Sequence, residues 1–453
     1  MSRSMQIAAA VAAALGASSA VLAAPPALST AAAAPNVLYV AGSSAAKNGI
    51  IAALQTNLCG GAANALTLSS SSTGNTNFFA VSCTVASTGP SSLVGQVATV
   101  YYRDEGGSVV GALPIVSGKP VFTLNLNDSA NIPSCTSGAT ACAPNVSGSS
   151  ALNGTADSFG GAVIKKAVQL GITDLEPTVF VNDNYPSGYQ TSVYGTASAT
   201  QLGALNTSPL FQQVFGLFVN VSGGLFGSPQ PTSINVPKAV LTNILQGFVT
   251  DWSQASNTSG NALASASETI TVVNREAGSG SRAGASIYFT GYECVPSTTD
   301  ITDPAGATGD FFSTGNVLAQ ANKVAGSITY ASIDNFNTTS FPNLALVAID
   351  GIVPTNLNAA SGQYDYWFES TAVTASGLST SSAALASWLI GELQTEATAP
   401  HLIDVNAIPS LSTNNAALPV TGTANTLASG GVPIYVSQFS RSGASCNLPA
   451  DAL

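Results

Sequence analysis

Charged side chains are scarce in this 453-residue sequence, where Asp, Glu, Lys and Arg together make up 7% of the residues. Lys and Arg number 11 against 22 Asp and Glu, which gives a formal net charge of −11 at pH 7. Nucleic acids and anionic membrane surfaces are bound through a basic face, so the shortage of cations argues against both as partners. Hydrophobic residues still make up 45% of the chain, which is ample for a buried core and excludes a disordered chain.

Histidine is almost absent, since His401 is the only one. A Ser/His/Asp hydrolase would have to use it, yet no nucleophile elbow of the G-x-S-x-G type lies nearby. A zinc site would need C-x-x-C spacing or more histidines, and the sequence has neither. We therefore expect a binding protein with no catalytic residues, no metal site and no cofactor. Paired carboxylates of the glycosidase type, Asp174 and Glu176, stay open as an alternative.

The six cysteines form an even set, which suits disulfides in an exported protein. Six cysteines allow 15 pairings, and the sequence alone does not choose among them. Spacing favours Cys59–Cys83 and Cys135–Cys142 as local bridges, which leaves Cys294–Cys446 to join distant parts of the chain.

The N-terminus has the layout of a secretory signal peptide. Ser2-Arg3 precedes an Ala-rich apolar run from Ile7 to Leu22, and small residues follow up to Pro25. The run is short for a membrane-spanning helix, and no later stretch is apolar enough to span a bilayer. Residues 1–24 are therefore predicted to be removed on export, which leaves no membrane insertion and a periplasmic or secreted protein.

Residues 270–289 are the most informative stretch, because a strand, an arginine, a glycine-serine turn and a helix follow one another there. Arg275 ends the predicted strand, and Gly278-Ser279-Gly280-Ser281 precedes an Ala-rich helix. Free N–H groups at a helix start, the helix dipole, serine hydroxyls and the arginine fork all suit a small tetrahedral oxyanion. Glycine lets the backbone approach such a guest closely. The alternative is an ordinary turn in a glycine-rich chain.

A similar order of strand and small-residue turn occurs twice more. Strand Asn36–Val40 is followed by Ser43 and Ser44, and strand Val97–Arg103 is followed by Ser108 in a glycine turn. Each serine is a candidate donor to the same anion, and capping of its own helix is the alternative for Ser43 and Ser44.

Asp174 is a candidate acceptor, because it follows another small-residue turn, Gly171-Ile172-Thr173. Hydrogen phosphate still has a proton to donate at neutral pH, whereas sulfate has none. An ionised aspartate in a dry cleft would accept from phosphate and oppose sulfate, and an unpaired buried charge costs about 1–3 kcal/mol or more. The alternative is that Asp174 caps a turn before Pro177.

These motifs resemble those of the periplasmic phosphate-binding proteins of phosphate ABC transporters. Ala41-Gly42-Ser43-Ser44 is similar to the family's first glycine-rich loop, Gly106-Gly107-Ser108 to its second, and Gly171-Ile172-Thr173-Asp174 to its G-x-S-D motif. Residues 275–281, R-E-A-G-S-G-S, are close to the family's R-x-D-G-S-G-T signature. The resemblance implies a phosphate site formed by Ser43, Ser44, Ser108, Asp174, Arg275, Gly278, Ser279, Gly280 and Ser281.

The sequence departs from the family at the arginine loop. Ala277 stands where the family has an aspartate that helps to hold the arginine. Glu276 or Asp251 is the expected replacement.

The resemblance also implies a two-lobed α/β fold of the type II periplasmic-binding-protein class, with two hinge crossovers. We predict the crossovers near Gln213 and Tyr366, so that lobe I comprises residues 36–213 and 366–453 and lobe II residues 214–365. Alternating strands and helices from Val214 onward predict parallel sheets with ligand loops at the strand ends. Lobe closure would then surround phosphate, with a transporter permease as a further partner. The alternative function is a secreted structural or adhesive module that keeps the fold without phosphate transport.

Three expectations concern segments outside the predicted ligand set. Residues 162–170 are predicted to form a short helix. Residues 128–157, rich in small polar residues, are predicted to form a surface excursion rather than core. Lys47, in the first turn of a predicted helix, is expected to point to solvent.

Overall fold

A computed structural model describes residues 24–451 of the chain, apart from 71–76, 137, 150–157, 187–188, 296–298, 302–309, 396–402, 405–434 and 437–438. Residues 1–23 of the predicted signal peptide lie outside the described residues, and so does His401. None of the helices in the described part of the chain is both long and apolar enough to cross a membrane.

The strands of the described residues are, in chain order, β1 Asn36–Gly42, β2 Leu66–Ser69, β3 Phe78–Thr84, β4 Val97–Arg103, β5 Val121–Leu124, β6 Ala141–Cys142, β7 Val146–Ser149, β8 Ser158–Gly161, β9 Val163–Lys166, β10 Leu170–Thr173, β11 Asn206–Asn220, β12 Ser233–Val236, β13 Thr271–Val272, β14 Asn274–Arg275, β15 Asp310–Phe311, β16 Ser327–Ser332, β17 Leu344–Ile349, β18 Trp367–Thr374, β19 Ile403–Asp404, β20 Tyr435–Val436, β21 Phe439–Ser440 and β22 Ala450–Asp451.

The α-helices are α1 Leu28–Ala32, α2 Lys47–Ala53, α3 Leu113–Ser117, α4 Tyr189–Tyr194, α5 Ala199–Gly203, α6 Lys238–Leu245, α7 Gly280–Ala285, α8 Thr314–Ala321, α9 Asn356–Ala360 and α10 Thr380–Thr395. Helices α2 and α7 continue as π-helical turns over Leu54–Leu58 and Ser286–Thr290. Short 3₁₀ turns lie at Ala62–Asn64, Ser91–Leu93, Ser108–Gly111, Ser129–Asn131, Pro177–Val179, Asn182–Asn184, Ser222–Gly224 and Ile333–Asn335.

One large sheet runs through the molecule in the order β12-β17-β11-β18-β10-β1-β4-β3-β2-β6, and β16 also pairs with β11. Strand β1 is parallel to β10 and β4, and β12 is parallel to β17. Strand β18 is antiparallel to both β10 and β11, and β11 is antiparallel to β16. The prediction of parallel sheets is therefore wrong in part, because the order of strands and helices does not reveal the direction of the strands that join the two halves.

Strand β11 joins the two halves of this sheet. Its first part pairs with β18, up to Val214, and its second part pairs with β16 and β17 from Phe215 onward. Phe215 N–H also donates to Tyr366 O at 3.0 Å, so the two predicted crossovers lie side by side. The α/β fold with two lobes agrees with the prediction, while the lobe boundaries at 213/214 and 365/366 stay a prediction.

Two large apolar clusters pack against the sheet. Phe215, Trp252 and Tyr330 belong to the first, which also includes Leu175 from the predicted lobe I. Leu38 and Leu389 belong to the second, where α10 packs against β1 and α2 packs against α10. The turns at the ends of β1, β4, β10 and β14 then lie where the two halves meet.

The structure overturns the helix predicted for residues 162–170. Val163–Lys166 is strand β9, antiparallel to β5, and Leu170 begins β10. The β-branched residues Val163 and Ile164 favour a strand, and Lys165 Nζ lies 4.9 Å from the ring centroid of its cross-strand partner Phe122. Tertiary pairing therefore outweighs the helix-forming residues around it.

The excursion predicted for residues 128–157 is also only partly correct. Its described residues Ile132, Cys142 and Val146 are buried in one cluster with Leu66 and Phe78 of the lobe I sheet. A few apolar side chains among many small polar ones are thus enough to add a satellite core, which composition alone did not indicate.

All three predicted disulfides are confirmed. Cys59–Cys83 and Cys135–Cys142 are local bridges, and Cys294–Cys446 spans 152 residues of sequence. The described residues contain no free cysteine.

Candidate anion-binding site

The first site loop begins at Gly42, the last residue of β1. Gly42 has φ +131°, and a Cβ there would lie 2.0 Å from Ile172 O, so glycine is required at this position. Ser43 N–H then donates to Ile172 O at 2.8 Å, which ties the loop to β10. The Ser43 hydroxyl donates to Asp174 Oδ1 and accepts from Ala46 N–H, so it contacts the predicted acceptor and also closes the turn before α2.

The second loop follows β4 and carries Ser108. The Ser108 hydroxyl is buried and accepts from Asp174 N–H at 3.1 Å. The next residue, Val109, donates its N–H to Gly278 O of lobe II at 2.9 Å. This loop therefore contacts both the third loop of lobe I and the arginine loop of lobe II.

The third loop places Asp174 in the interior, with 2% of its surface exposed. Burial raises the pKa of the Asp174 carboxyl, and the Ser43 hydroxyl, the Arg275 charge and the hydroxyls of Ser108 and Ser281 oppose that rise. Asp174 therefore holds a proton more readily than an exposed aspartate does, which suits a group that shares a proton with a guest.

Arg275 ends β14 in lobe II and is 1% exposed. Its Nε donates to Phe311 O at 2.8 Å, and one terminal nitrogen lies 3.3 Å from a carboxylate oxygen of Glu276. Of the two carboxylates expected to hold Arg275, Glu276 is the one that pairs with it, whereas Asp251 accepts from the hydroxyls of Ser253 and Ser267. The other terminal nitrogen faces Ser44 Oγ at 3.5 Å.

The glycine-serine turn after Arg275 starts α7. Gly278 has φ +85°, and a Cβ there would lie 2.5 Å from Val109 Cγ1. Ser279 is the N-cap of α7, because its hydroxyl accepts from Arg282 N–H at 3.4 Å. The Ser281 hydroxyl is buried and lies close enough to Asp174 to lower that carboxyl's pKa.

Gly280 marks the point where the loops of the two lobes meet. A Cβ on Gly280 would lie 2.5 Å from Asp174 Cβ and 2.6 Å from Ser108 Oγ. Together with the approach of Arg275 to Ser44, this contact brings all nine predicted residues to one buried location. None of them lies on a separate surface.

The expectation that Lys47 points to solvent is wrong. Lys47 Nζ lies 3.3 Å from Asp104 Oδ2, and the side chain of Asp104 is fully buried. Burial raises the pKa of Asp104, which the nearby charges of Lys47 and Arg275 oppose. A carboxylate that lies this deep attracts the nearest ammonium.

Thr314 belongs to the site but is absent from the predicted set. It opens α8 in lobe II, and its hydroxyl lies 2.9 Å from Ser44 Oγ and 3.3 Å from Arg275. Its N–H donates to Ser44 Oγ at 3.0 Å. A signal was present in the sequence, because serine is favoured at N-cap positions and Ser313 is the N-cap residue of α8.

Asn184 and Arg282 support the loops of the site. Gly278 N–H donates to Asn184 O at 2.8 Å, and Arg282 donates to Arg275 O at 3.2 Å. Asn184 therefore links lobe I to the turn before α7.

In the part of the chain that the structure describes, no group of three or more His, Cys, Asp or Glu residues is arranged to hold a metal ion.

Comparison with known proteins gives structural likenesses only. No protein-family model and no curated protein matches the sequence. A structure from Clostridium perfringens, named as a phosphate ABC transporter substrate-binding protein with bound phosphate, is 14% identical with a TM-score of 0.45, over 82% of this chain and 100% of that one. A phosphate transport receptor from Vibrio cholerae is 14% identical with a TM-score of 0.38, over 80% and 94%. Because these TM-scores are below 0.5, the proposed function is taken from the geometry of the site.

Proposed function

We propose that this protein is an exported solute-binding protein that holds inorganic phosphate, or a related tetrahedral oxyanion, between its two lobes. The observation that carries the proposal is the convergence at Gly280. There the arginine loop of lobe II comes within contact distance of Ser108 and Asp174 from two loops of lobe I. The groups that meet are hydroxyls, a guanidinium and one carboxyl, the set expected for a protonated oxyanion.

Each lobe would contribute a different part of this recognition. Lobe I supplies hydroxyls from Ser43, Ser44 and Ser108 and the acceptor Asp174. Lobe II supplies the Arg275 guanidinium and the buried hydroxyl of Ser281, which lies near Asp174. Neither lobe alone surrounds a guest, so binding would require their closure. An exported protein of this kind would deliver its ligand to a membrane permease.

A second candidate is a secreted structural module that keeps the fold without a ligand. The observation that favours it is that several polar groups of the site already bond to one another. Ser43 donates to Asp174, and Ser44 bonds with Thr314. A guest would have to replace part of this network, and that exchange costs free energy.

Isothermal titration of the purified protein with phosphate, arsenate and sulfate tests the proposal. Saturable binding of phosphate and arsenate, and weaker binding of sulfate, is the expected result. Heat from none of the three anions would contradict the proposal and favour the structural module. Turnover of phosphate esters would favour a hydrolase instead.

Arg275→Ala tests the residue assignment separately from the function. The variant removes the guanidinium that faces Ser44, so binding of phosphate and of sulfate should weaken together. Parent-like affinity for both anions would show that the site residues are wrong even if the protein binds phosphate.

A further inference from the structure

A segment near the C-terminus lies across the junction of the two lobes. We call Phe439–Asn447 the C-terminal clasp. It is attached to β18 through Glu369, whose Oε1 accepts from Arg441 N–H at 2.9 Å and whose Oε2 accepts from Gly443 N–H at 2.7 Å. The clasp is therefore held on the strand next to the crossover.

Arg441 anchors the clasp at the crossover itself. Its guanidinium donates to Asp365 O at 2.8 Å and to Trp367 O at 3.0 Å, on either side of the predicted boundary at 365/366. It also lies 4.7 Å from the ring centroid of Phe368. The side chain is 5% exposed, so this anchor is part of the interior.

The far end of the clasp is attached to both lobes. Ser445 N–H donates to Glu176 Oε1 of lobe I at 2.8 Å, and its hydroxyl donates to Glu176 Oε2. The next residue, Cys446, forms the disulfide with Cys294 of lobe II. The two cysteine Cα atoms are 5.6 Å apart, and consecutive Cα atoms are about 3.8 Å apart. Lobe II is thus covalently tied to a point one residue from a lobe I anchor.

We propose that the C-terminal clasp and the Cys294–Cys446 disulfide limit how far the two lobes separate. The inference rests on the two-lobed arrangement of the proposed function. Opening would rotate lobe II about β11 and β18 and move Cys294 away from Glu176. The clasp opposes that movement, because the disulfide keeps Cys294 next to Ser445 and the bonds from Ser445 to Glu176 must break first. The clasp therefore favours the state in which the lobes are in contact.

Hydrogen exchange of the interlobe amides tests this proposal without any ligand. The reporters are the backbone N–H groups of Gly106, Val109 and Gly278, which donate from one lobe to a carbonyl of the other, with acceptors Phe312 O, Gly278 O and Asn184 O. In the double variant Cys294→Ser/Cys446→Ser, peptides that contain these amides should exchange about tenfold faster or more than in the parent. The matched control, Cys135→Ser/Cys142→Ser, removes a disulfide within lobe I and should leave them unchanged.

Amides of β4 in the lobe I core report global unfolding in the same experiment. If the β4 amides also exchange faster in the Cys294→Ser/Cys446→Ser variant, that variant is globally destabilised, and Ser445→Ala then tests the proposal. That variant keeps the disulfide and removes the hydroxyl bond to Glu176, so it should speed exchange at the interlobe amides alone. If the double variant keeps its β4 protection, parent-like exchange at its interlobe amides overturns the proposal. If the double variant loses its β4 protection, parent-like exchange at the interlobe amides of Ser445→Ala overturns it. A protein that bound no anion would still give the expected result, so the two hypotheses fail separately.

Discussion

At the scale of single residues, the chain places its few strong cations inside. The arginines of the described residues, Arg103, Arg275, Arg282 and Arg441, are 0–5% exposed. Arg275 is partly neutralised by Glu276, which leaves one terminal nitrogen directed at Ser44 and Thr314. A buried guanidinium that is already paired attracts anions less than a free one, so the neighbouring hydroxyls and Asp174 must contribute much of the selectivity.

Asp174→Asn should reduce the preference for phosphate over sulfate. The asparagine amide would donate a hydrogen bond to either anion. The parent carboxylate instead accepts a hydrogen bond, and of the two anions only phosphate has a hydroxyl to donate it. We expect the ratio of the two dissociation constants to fall by about tenfold or more, since a charged hydrogen bond is worth about 1.5–3 kcal/mol. Titration of both anions measures it.

A uniform loss of affinity for both anions in Asp174→Asn would contradict this role. It would mean that Asp174 only holds the loops together through Ser43, and that discrimination arises elsewhere.

Thr314→Val should weaken phosphate binding by about tenfold. It removes a hydroxyl that lies beside both Ser44 and Arg275, and the loss of one hydrogen bond accounts for a factor of this size. Thr314→Ser keeps the hydroxyl and should bind like the parent. The control is Thr329→Val, since Thr329 is a buried threonine of β16 that donates to Val273 O at 2.7 Å. Equal losses in Thr314→Val and Thr329→Val would assign the effect to general destabilisation.

At the scale of secondary-structure elements, the sequence predicts the local turns better than the sheet. Strand β4 occupies the predicted residues Val97–Arg103, and the turns after β1, β4, β10 and β14 lie together. Local residue types decide those features, because glycine and serine act on the backbone within a few residues. Thr314 was missed because it lies in none of the glycine- and serine-rich motifs that predict the site.

The residues of the long strand β11 do not resemble one continuous strand. Pro209 and the glutamines Gln212 and Gln213 interrupt its apolar pattern, and the register shifts between Pro209 and Gln212. Both glutamines are fully buried, and Gln213 donates to Asp334 at 3.0 Å. Long-range partners of this kind satisfy polar groups in a strand, and no local pattern reveals them.

Gly280→Ala should prevent the start of α7 from approaching lobe I. The added Cβ would meet Asp174 Cβ at 2.5 Å, which no small adjustment of a flexible side chain relieves. We expect phosphate affinity to fall by about a hundredfold, because the shell of donors is not completed. Titration and small-angle scattering, which detects separation of the lobes, measure the outcome.

The matched control for this change is Gly315→Ala in α8. A Cβ at Gly315 has nothing within 4 Å, so affinity and scattering should equal those of the parent. If Gly280→Ala also behaves like the parent, the contact at Gly280 does not control closure.

At the scale of the whole molecule, buried carboxyl groups determine how stability depends on pH. Burial raises the pKa values of Asp104, Asp174 and Glu176, brings that of Asp334 to about 7, and with the neighbouring Asp300 brings that of Glu293 to about 8. The unfolded chain releases these protons near pH 4. Because the folded protein holds them to higher pH, the free energy of unfolding should fall as pH rises from about 4 to about 8.

Asp334→Asn isolates one part of this dependence. Asp334 Oδ2 is buried without a hydrogen-bond partner, while Oδ1 accepts from Gln213 and Asn335, which an asparagine oxygen can also do. Below pH 4 the parent carboxyl is protonated and the two proteins should be equally stable. Above pH 7 the parent bears a buried charge, so the variant should be more stable by about 4 kcal/mol, because the pKa of Asp334 goes from near 4 in the unfolded chain to about 7 in the folded protein.

Denaturant unfolding at pH 4, 6 and 8 measures the difference, and Asp251→Asn is its control. Hydrogen bonds from Ser253 and Ser267 lower the pKa of the exposed Asp251 to about 2. Asp251 is therefore ionised throughout this range, and its replacement should shift stability by the same amount at each pH. A difference between parent and Asp334→Asn that does not grow with pH would show that Asp334 is ionised in the folded protein from pH 4 upward. Hydrogen bonds would then stabilise the ionised form of the buried carboxyls by more than burial destabilises that form.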